Sequence, residues 1–248
     1  SAASDVYKRQ AQKVGDLYNI AMDSVKLNQE GVAPIKAELA AIDALKDKGE
    51  IYAYIAESQK KGIRPYFTMF VSADDMNSSM NIVQLYQAGL GMGDRDYYLL
   101  EDESSQKMRE AYKNYITRLF PLIGSSPEQA DAAVNAIMKI ERGIAEVSFS
   151  REDLRDSQKN YNKMSIEDFK AKNDLLNWDV YFESMGMMDI KYLDAKQLSF
   201  YEGLSALMKN TTLDEQKYYL TFNLLSSAAP YLSDPFVAAD FDFYGKTM

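Results

Sequence analysis

The sequence predicts a mainly α fold, an irregular multi-helix domain of about nine to ten helices with one small β-hairpin. Three observations predict it. Apolar residues recur at three- and four-residue steps through most of the chain. Cap, first-turn proline and third-position amide or acid signatures stand before several of those runs. One stretch only, residues 65–86, changes clearly to an extended pattern rich in aromatic and β-branched side chains.

In chain order, Val14, Leu17, Tyr18, Ala21, Met22 and Val25 space an amphipathic helix over 6–28, with Gly31 as its stop. Pro34 suits the first turn of a second helix, whose inner face is Ile35, Leu39, Ile42 and Leu45. A third runs from Glu50 to Lys61 on Ile51, Tyr54 and Ile55, and Gly62 ends it. Pro65 to Val71 and Ile82 to Tyr86 then read as two strands joined by a polar turn from Ser72 to Ser79. Helical spacing returns with Met108, Tyr112, Tyr115, Ile116 and Leu119. Ser126, Pro127 and Gln129 combine a cap, a proline and an amide into the clearest helix start of the chain, ahead of Ala133, Ile137 and Ile144. Ser165 with Asp168, and Asn177, cap two short helices, while Ile190 to Leu198 is ambiguous and can form a short strand. Phe200 to Met208 is helical, and Thr212 with Glu215 opens a long helix through Tyr219 and Leu225. Pro230 and Pro235 interrupt it, and the last aromatic residues, Phe241, Phe243 and Tyr244, are expected to be loose. No repeat of 20–50 residues is found, which disfavours a solenoid.

With 248 residues, 46% of them hydrophobic, the chain can bury the core of one large domain or two small ones. A net charge of −9 without any basic cluster repels phosphate backbones and anionic membranes, so no nucleic acid partner is expected. No run of about 18 apolar residues is present, so no membrane-spanning segment is expected. The polar start SAASDVYKRQ lacks the apolar centre of a signal peptide. Cysteine is absent, which removes disulfides, thiolate nucleophiles and Cys-type metal sites together. Histidine is absent as well. Neither an HExxH zinc site nor a Ser-His or Cys-His nucleophile system can be assembled from such a chain, and no catalytic or metal-ligating residue is assigned.

One connector, Gln87 to Leu99, holds three alternate glycines and an Arg-Asp-Tyr-Tyr block without hydrophobic period. Gly89, Gly91 and Gly93 allow a sharp turn that would bring Arg95, Asp96, Tyr97 and Tyr98 to one place. A dinucleotide loop is disfavoured, because the third glycine is misplaced and no βαβ unit surrounds it. Arg95 and Asp96 can touch a peptide or, more simply, hold the loop through ion pairs. Glu152 and Asp156 have the ExxxD spacing of a zinc-peptidase third ligand, but amid Arg151 and Arg155 they read as a solvated charged patch. Asp240, Asp242 and Gly245 imitate the start of a calcium loop, with Tyr244 at a ligand position. Asn77 and Asn210 lie in Asn-x-Ser/Thr triplets that matter only in a glycosylating host. The 18 tyrosines would suit a sugar-binding face, although aromatics at helical spacing are more often core.

GLGMGDRDYYL resembles the GLGLP-x-RDYY segment of the neprilysin-like zinc metallopeptidases, the group that holds neprilysin, endothelin-converting enzyme and the bacterial oligopeptidase O. Tyr161, Asn162, Lys163 and Met164 are similar to the YNKM of that family, and the C-terminal stretch through Phe243, Tyr244, Gly245 and Lys246 to its FYGK segment. Met92 and Gly93 replace the usual Leu-Pro, which should loosen the turn, and Asp240 stands where Asn is common. The resemblance covers only the N-terminal, non-zinc part of a family member. It implies a helical cap domain over 1–240, with 241–248 beginning the connection to a catalytic domain downstream. It implies a parent zinc metalloendopeptidase of short peptides, periplasmic or otherwise exported from a bacterium, with zinc held by the parent and not by this chain. The partners it implies are the chain's own catalytic domain and short peptide substrates, with the loop residues Gly89, Gly91, Arg95, Asp96, Tyr97 and Tyr98 placed to line the chamber. Two readings of other classes stand beside it: a helical glycan- or peptide-binding module of a bacterial exported lipoprotein, and a purely structural interaction domain.

Overall fold

Three long helices carry the core of this computed structural model, which describes residues 12–14, 23–173 and 176–248. Among the described residues there are eleven α-helices, several single turns of 3-10 helix and a four-stranded sheet. The opening elements are α1 (Ser24–Glu30), a 3-10 turn (Ala33–Ile35), α2 (Lys36–Asp43) and α3 (Glu50–Lys60). Strands β1 (Phe67–Asp74) and β2 (Asn77–Gln87) follow, then α4 (Asp96–Leu99), α5 (Glu103–Leu119) and α6 (Pro127–Val147). After these come β3 (Lys163–Ser165), α7 (Ile166–Lys172), α8 (Trp178–Ser184) and β4 (Tyr192–Ala195). The chain closes with α9 (Leu198–Asn210), α10 (Leu213–Ala228), α11 (Asp234–Asp240) and a π-helical turn, Phe241–Gly245.

The capping chemistry read from sequence sets these boundaries. Both halves of a capping box form at Ser126/Gln129 before α6 and at Thr212/Glu215 before α10. Ser165 accepts from the Asp168 amide at the start of α7, and Asn177 from the Val180 amide at α8. The first helix differs from expectation. Asp23 leaves helical geometry and caps a new helix at Ser24, in which no residue is buried. Val14 and Val25 are exposed, and Leu17, Tyr18, Ala21 and Met22 lie outside the described residues.

The hairpin is present but belongs to a larger sheet. Its turn shrinks to Asp75 and Met76, because the Asp74 carboxylate accepts the Met76 amide and lets both strands run through the polar residues that read as turn. The ambiguous stretch becomes β4, which pairs parallel to β2 over Val83–Leu85, while β3 from the YNKM stretch pairs antiparallel to β4. The sheet order is β1-β2-β4-β3, and a three- or four-residue strand is too short to carry a period-2 signal of its own.

Helix α6 packs against α5, α9 and α10, and α3 against α8. Phe67 at the start of β1 joins this core to the sheet, with Trp178, Tyr181 and Tyr201 around it at ring distances of 5.2, 5.0 and 6.2 Å. Helices α6 and α9 approach through glycine. A Cβ at Gly203 would lie 2.7 Å from the Cβ of Val147 and 2.3 Å from its Cγ1. Val147 is β-branched and cannot swing its Cβ aside. Gly203→Ala should therefore lower the melting temperature, by about 1–3 kcal/mol of stability, although alanine is the better helix former. A Tm at or above that of the native chain would show that the crossing has slack.

Candidate functional site

The glycine connector crosses the top of α6 and separates two clefts. One, of about 500 Å³, is lined by Arg64, Gly89, Gly91, Glu141, Asp240 and Tyr244 among others. The other, of about 290 Å³, takes Met92, Gly93, Arg95 and Tyr97. The connector does not bring Arg95, Asp96, Tyr97 and Tyr98 together. Arg95 donates to the Ser148 carbonyl at 2.5 Å, Asp96 is exposed at the start of α4, Tyr97 is half-buried, and Tyr98 turns into the core. Arg95 and Asp96 do not pair with each other; the ion pair that ties the loop joins Asp94 to Arg151.

Two glycines are required where they stand. Gly89 has φ +92°, and a Cβ there would lie 2.6 Å from the Tyr219 hydroxyl and 2.8 Å from the Tyr66 nitrogen. Gly91 has ordinary angles, but a Cβ on it would sit 1.9 Å from the Tyr112 hydroxyl. Gly93 has φ +76°, a conformation closed to the proline that the family motif usually carries. The substitution expected to loosen this turn therefore gives it a different geometry, with Met92 fully buried and its amide donating to the Tyr98 hydroxyl at 3.0 Å.

Hydroxyls and one carboxylate hold the loop down. Tyr219 donates to the Gly89 carbonyl at 2.9 Å, and Tyr244, from the C-terminal FYGK stretch, to the Gly91 carbonyl at 3.0 Å. The Gly91 amide donates to Glu141 at 3.3 Å. Glu141 also accepts from Tyr98 at 2.5 Å and from Tyr112 at 2.9 Å, and it is 1% exposed. Burial raises its carboxyl to about 7 against the opposing effect of these donors. Burial also holds the Tyr98 and Tyr112 phenols well above their ordinary range, so both stay neutral donors.

Of the C-terminal aromatic residues expected to be loose, Phe243 and Tyr244 are packed, while Phe241 is exposed. Phe243 is buried and stacks on Tyr115, 5.4 Å away with the planes 8° apart, and meets Tyr112 at 5.2 Å. Gly245 leaves room for the Phe241 ring, over which the Lys246 ammonium lies at 5.3 Å. Asp242 is occupied by Arg118 and Lys246, and Asp240 accepts from Tyr115.

The YNKM residues stand away from both clefts and hold the sheet. Tyr161 and Lys163 bond the two oxygens of buried Asp74 at 2.9 and 2.8 Å. The Asn162 amide donates to Asp194 at 2.7 Å and its side chain to the Ala195 carbonyl at 3.0 Å. Met164 packs against the core opposite Leu193. Lys196, 8% exposed, completes the network between Asp194 and Asp75.

The sequence profile of peptidase family M13 matches residues 1–248. The chain belongs to this family. Human endothelin-converting enzyme 1 is 28% identical over 184 residues, which cover 72% of this chain and 24% of that protein. The zinc metalloprotease Zmp1 of Mycobacterium tuberculosis, solved with an inhibitor, superposes with a TM-score of 0.89 at 27% identity, over 96% of this chain and 36% of Zmp1. PepO from Lactobacillus rhamnosis shares the fold, with a TM-score of 0.74 at 19% identity over 98% of this chain and 42% of PepO. The chain thus spans about a quarter of the first curated relative and under half of these solved ones.

Glu141 is the residue of this M13 chain that sequence reasoning missed. Its signal was present, since it falls four residues after Ile137 and three before Ile144, a charged residue inside the buried stripe of a helix. Among the described residues no three His, Cys, Asp or Glu side chains converge as a metal site, and Glu152 and Asp156 are both exposed.

Two predictions follow from the loop. Gly91→Ala should destabilise the chain by about 1–3 kcal/mol, and Tyr112→Phe, which deletes the clashing hydroxyl, should restore part of that loss in denaturant titration. Additive losses would disprove the contact. Because the folded chain holds Glu141 protonated above its ordinary value of 4.5, its contribution is complete below about pH 4.5 and is lost as pH rises through about 7. Relative to Glu141→Gln, the native chain should lose stability on the order of 3 kcal/mol across that window; parallel pH profiles would refute the assignment.

Proposed function

We propose that this chain is the non-catalytic helical cap of a neprilysin-like zinc endopeptidase of short peptides. In this reading residues 1–240 close a chamber over a zinc site carried elsewhere in the protein, and 241–248 begin the connection to it. One observation carries the reading: a member of a metallopeptidase family contains no histidine and spans only a quarter to two-fifths of its relatives. Zmp1 is a zinc metalloprotease, and among the described residues of this chain no three His, Cys, Asp or Glu side chains converge to hold that metal. No step of hydrolysis is therefore assigned to a side chain of this chain. The cleft under the glycine loop, where Gly89, Gly91 and Tyr244 meet, is the part of the cap we place toward the chamber.

The parent would work outside the cytoplasm of a bacterium, on peptides small enough to enter the chamber. No described helix is long and apolar enough to cross a membrane. The glycan-binding alternative draws less support, because Tyr66, Tyr98, Tyr112, Tyr181, Tyr201 and Tyr219, part of the tyrosine content that suggested it, are fully buried. The test compares the intact gene product with this chain on a quenched fluorescent peptide. Chelator-sensitive cleavage by the intact protein and none by the chain is the expected result. Cleavage by the chain alone, or an intact protein inert toward peptides, would overturn the reading.

A further inference from the structure

Among the described residues four charged side chains are buried, and three of them, Asp74, Asp194 and Lys196, have an oppositely charged partner. Glu141 has none. Every element packed on it presents a neutral group: the Gly91 amide from the loop, Tyr98 from α4, Tyr112 from α5, Tyr219 from α10 and Tyr244 from the C-terminal turn. Arg64 and Asp240 line the same cleft without bonding Glu141, and Asp240 is engaged by Tyr115. On its own helix, Arg142 is turned to the Tyr98 carbonyl and to Glu146.

Neither protonation state satisfies this cluster. As a carboxylate, Glu141 accepts all three donors, Tyr98, Tyr112 and the Gly91 amide, but carries a buried charge that no cation balances. As an acid it adds a fourth proton. Whichever phenol oxygen accepts it, Tyr98 or Tyr112, that phenol's own proton loses its place on Glu141 and has no other acceptor among the described contacts. Glu141 and Gly91 line the same cleft, so the Gly91 peptide stands between the buried carboxyl and the open side of that cleft.

We propose that the proton on Glu141 sets the closure of the glycine loop over this cleft: the neutral acid keeps Gly89 to Met92 seated, and ionisation favours a raised, hydrated loop. The direction follows from linkage. The seated loop leaves the carboxyl 1% exposed with no cation bonded to it, and that burial holds it above its ordinary value, so the proton is bound more tightly closed than open and rising pH favours opening. The inference concerns the cleft itself and stands apart from what enters it.

Hydrogen exchange by NMR on the full chain tests it. After correction for intrinsic rates, the Gly91 and Met92 amides should be less protected than those of Ile137 and Ile140. Their protection should fall about tenfold per pH unit between about pH 5 and about pH 7, then level off. Glu141→Gln should abolish that slope. Tyr112→Phe removes a donor that favours the carboxylate, so it should carry the levelling-off to higher pH, and it serves if the first variant does not fold. A pH-independent loop, the same slope in Glu141→Gln, an unmoved plateau in Tyr112→Phe, or Gly91 exchange coincident with Ile137 and Ile140 throughout would each overturn the proposal.

Discussion

The fold turns on a carboxylate that has no cation. Glu141 sits inside α6, the helix that touches α5, α9 and α10, and its two oxygens gather Tyr98 from the short helix after the loop, Tyr112 from α5 and the Gly91 amide. An unpaired buried carboxylate is unfavourable by several kcal/mol unless donors surround it. The connector supplies two of the three groups bonded to this carboxyl, and it descends onto α6 at this one place. Glycine at 89 and 91 follows from that descent, because the hydroxyls of Tyr219 and Tyr112 occupy the space where a Cβ would stand.

A second polar network, Asp74 with Tyr161 and Lys163 and Asp194 with Lys196, does for the sheet what Glu141 does for the loop. The two differ in kind. The sheet network pairs opposite charges, and Lys163 holds Asp74 down to about 2, well below the neutral range, so its charge state is constant there. The Glu141 cluster has only neutral donors and is left open to titration. One family motif therefore joins a network of paired charges, while the glycine loop and the FYGK stretch meet around a carboxyl that has no cation.

The charged network lies in the sheet and the neutral one under the glycine connector. The chain has neither imidazole nor thiolate, and it presents a cleft of about 500 Å³ under the glycine connector. The M13 assignment belongs to a chain that spans about a quarter to two-fifths of the relatives compared with it.

Much of this was determined locally. Caps at Ser126, Ser165, Asn177 and Thr212 and the periods of α5, α6 and α10 are decided by residues three or four apart, which is why the sequence alone places them. Three ordered motifs also disclosed the family. What the sequence could not disclose rests on pairs far apart in the chain: Gly91 with Tyr244, Glu141 with Tyr98, Asp74 with Lys163. The Arg-Asp-Tyr-Tyr block read as one cluster because its residues are adjacent, but helical geometry sends neighbours to different sides, and only tertiary packing decided which would be buried. Likewise β3 and β4 exist because partners from distant segments supply their hydrogen bonds, a condition that no window of the sequence contains.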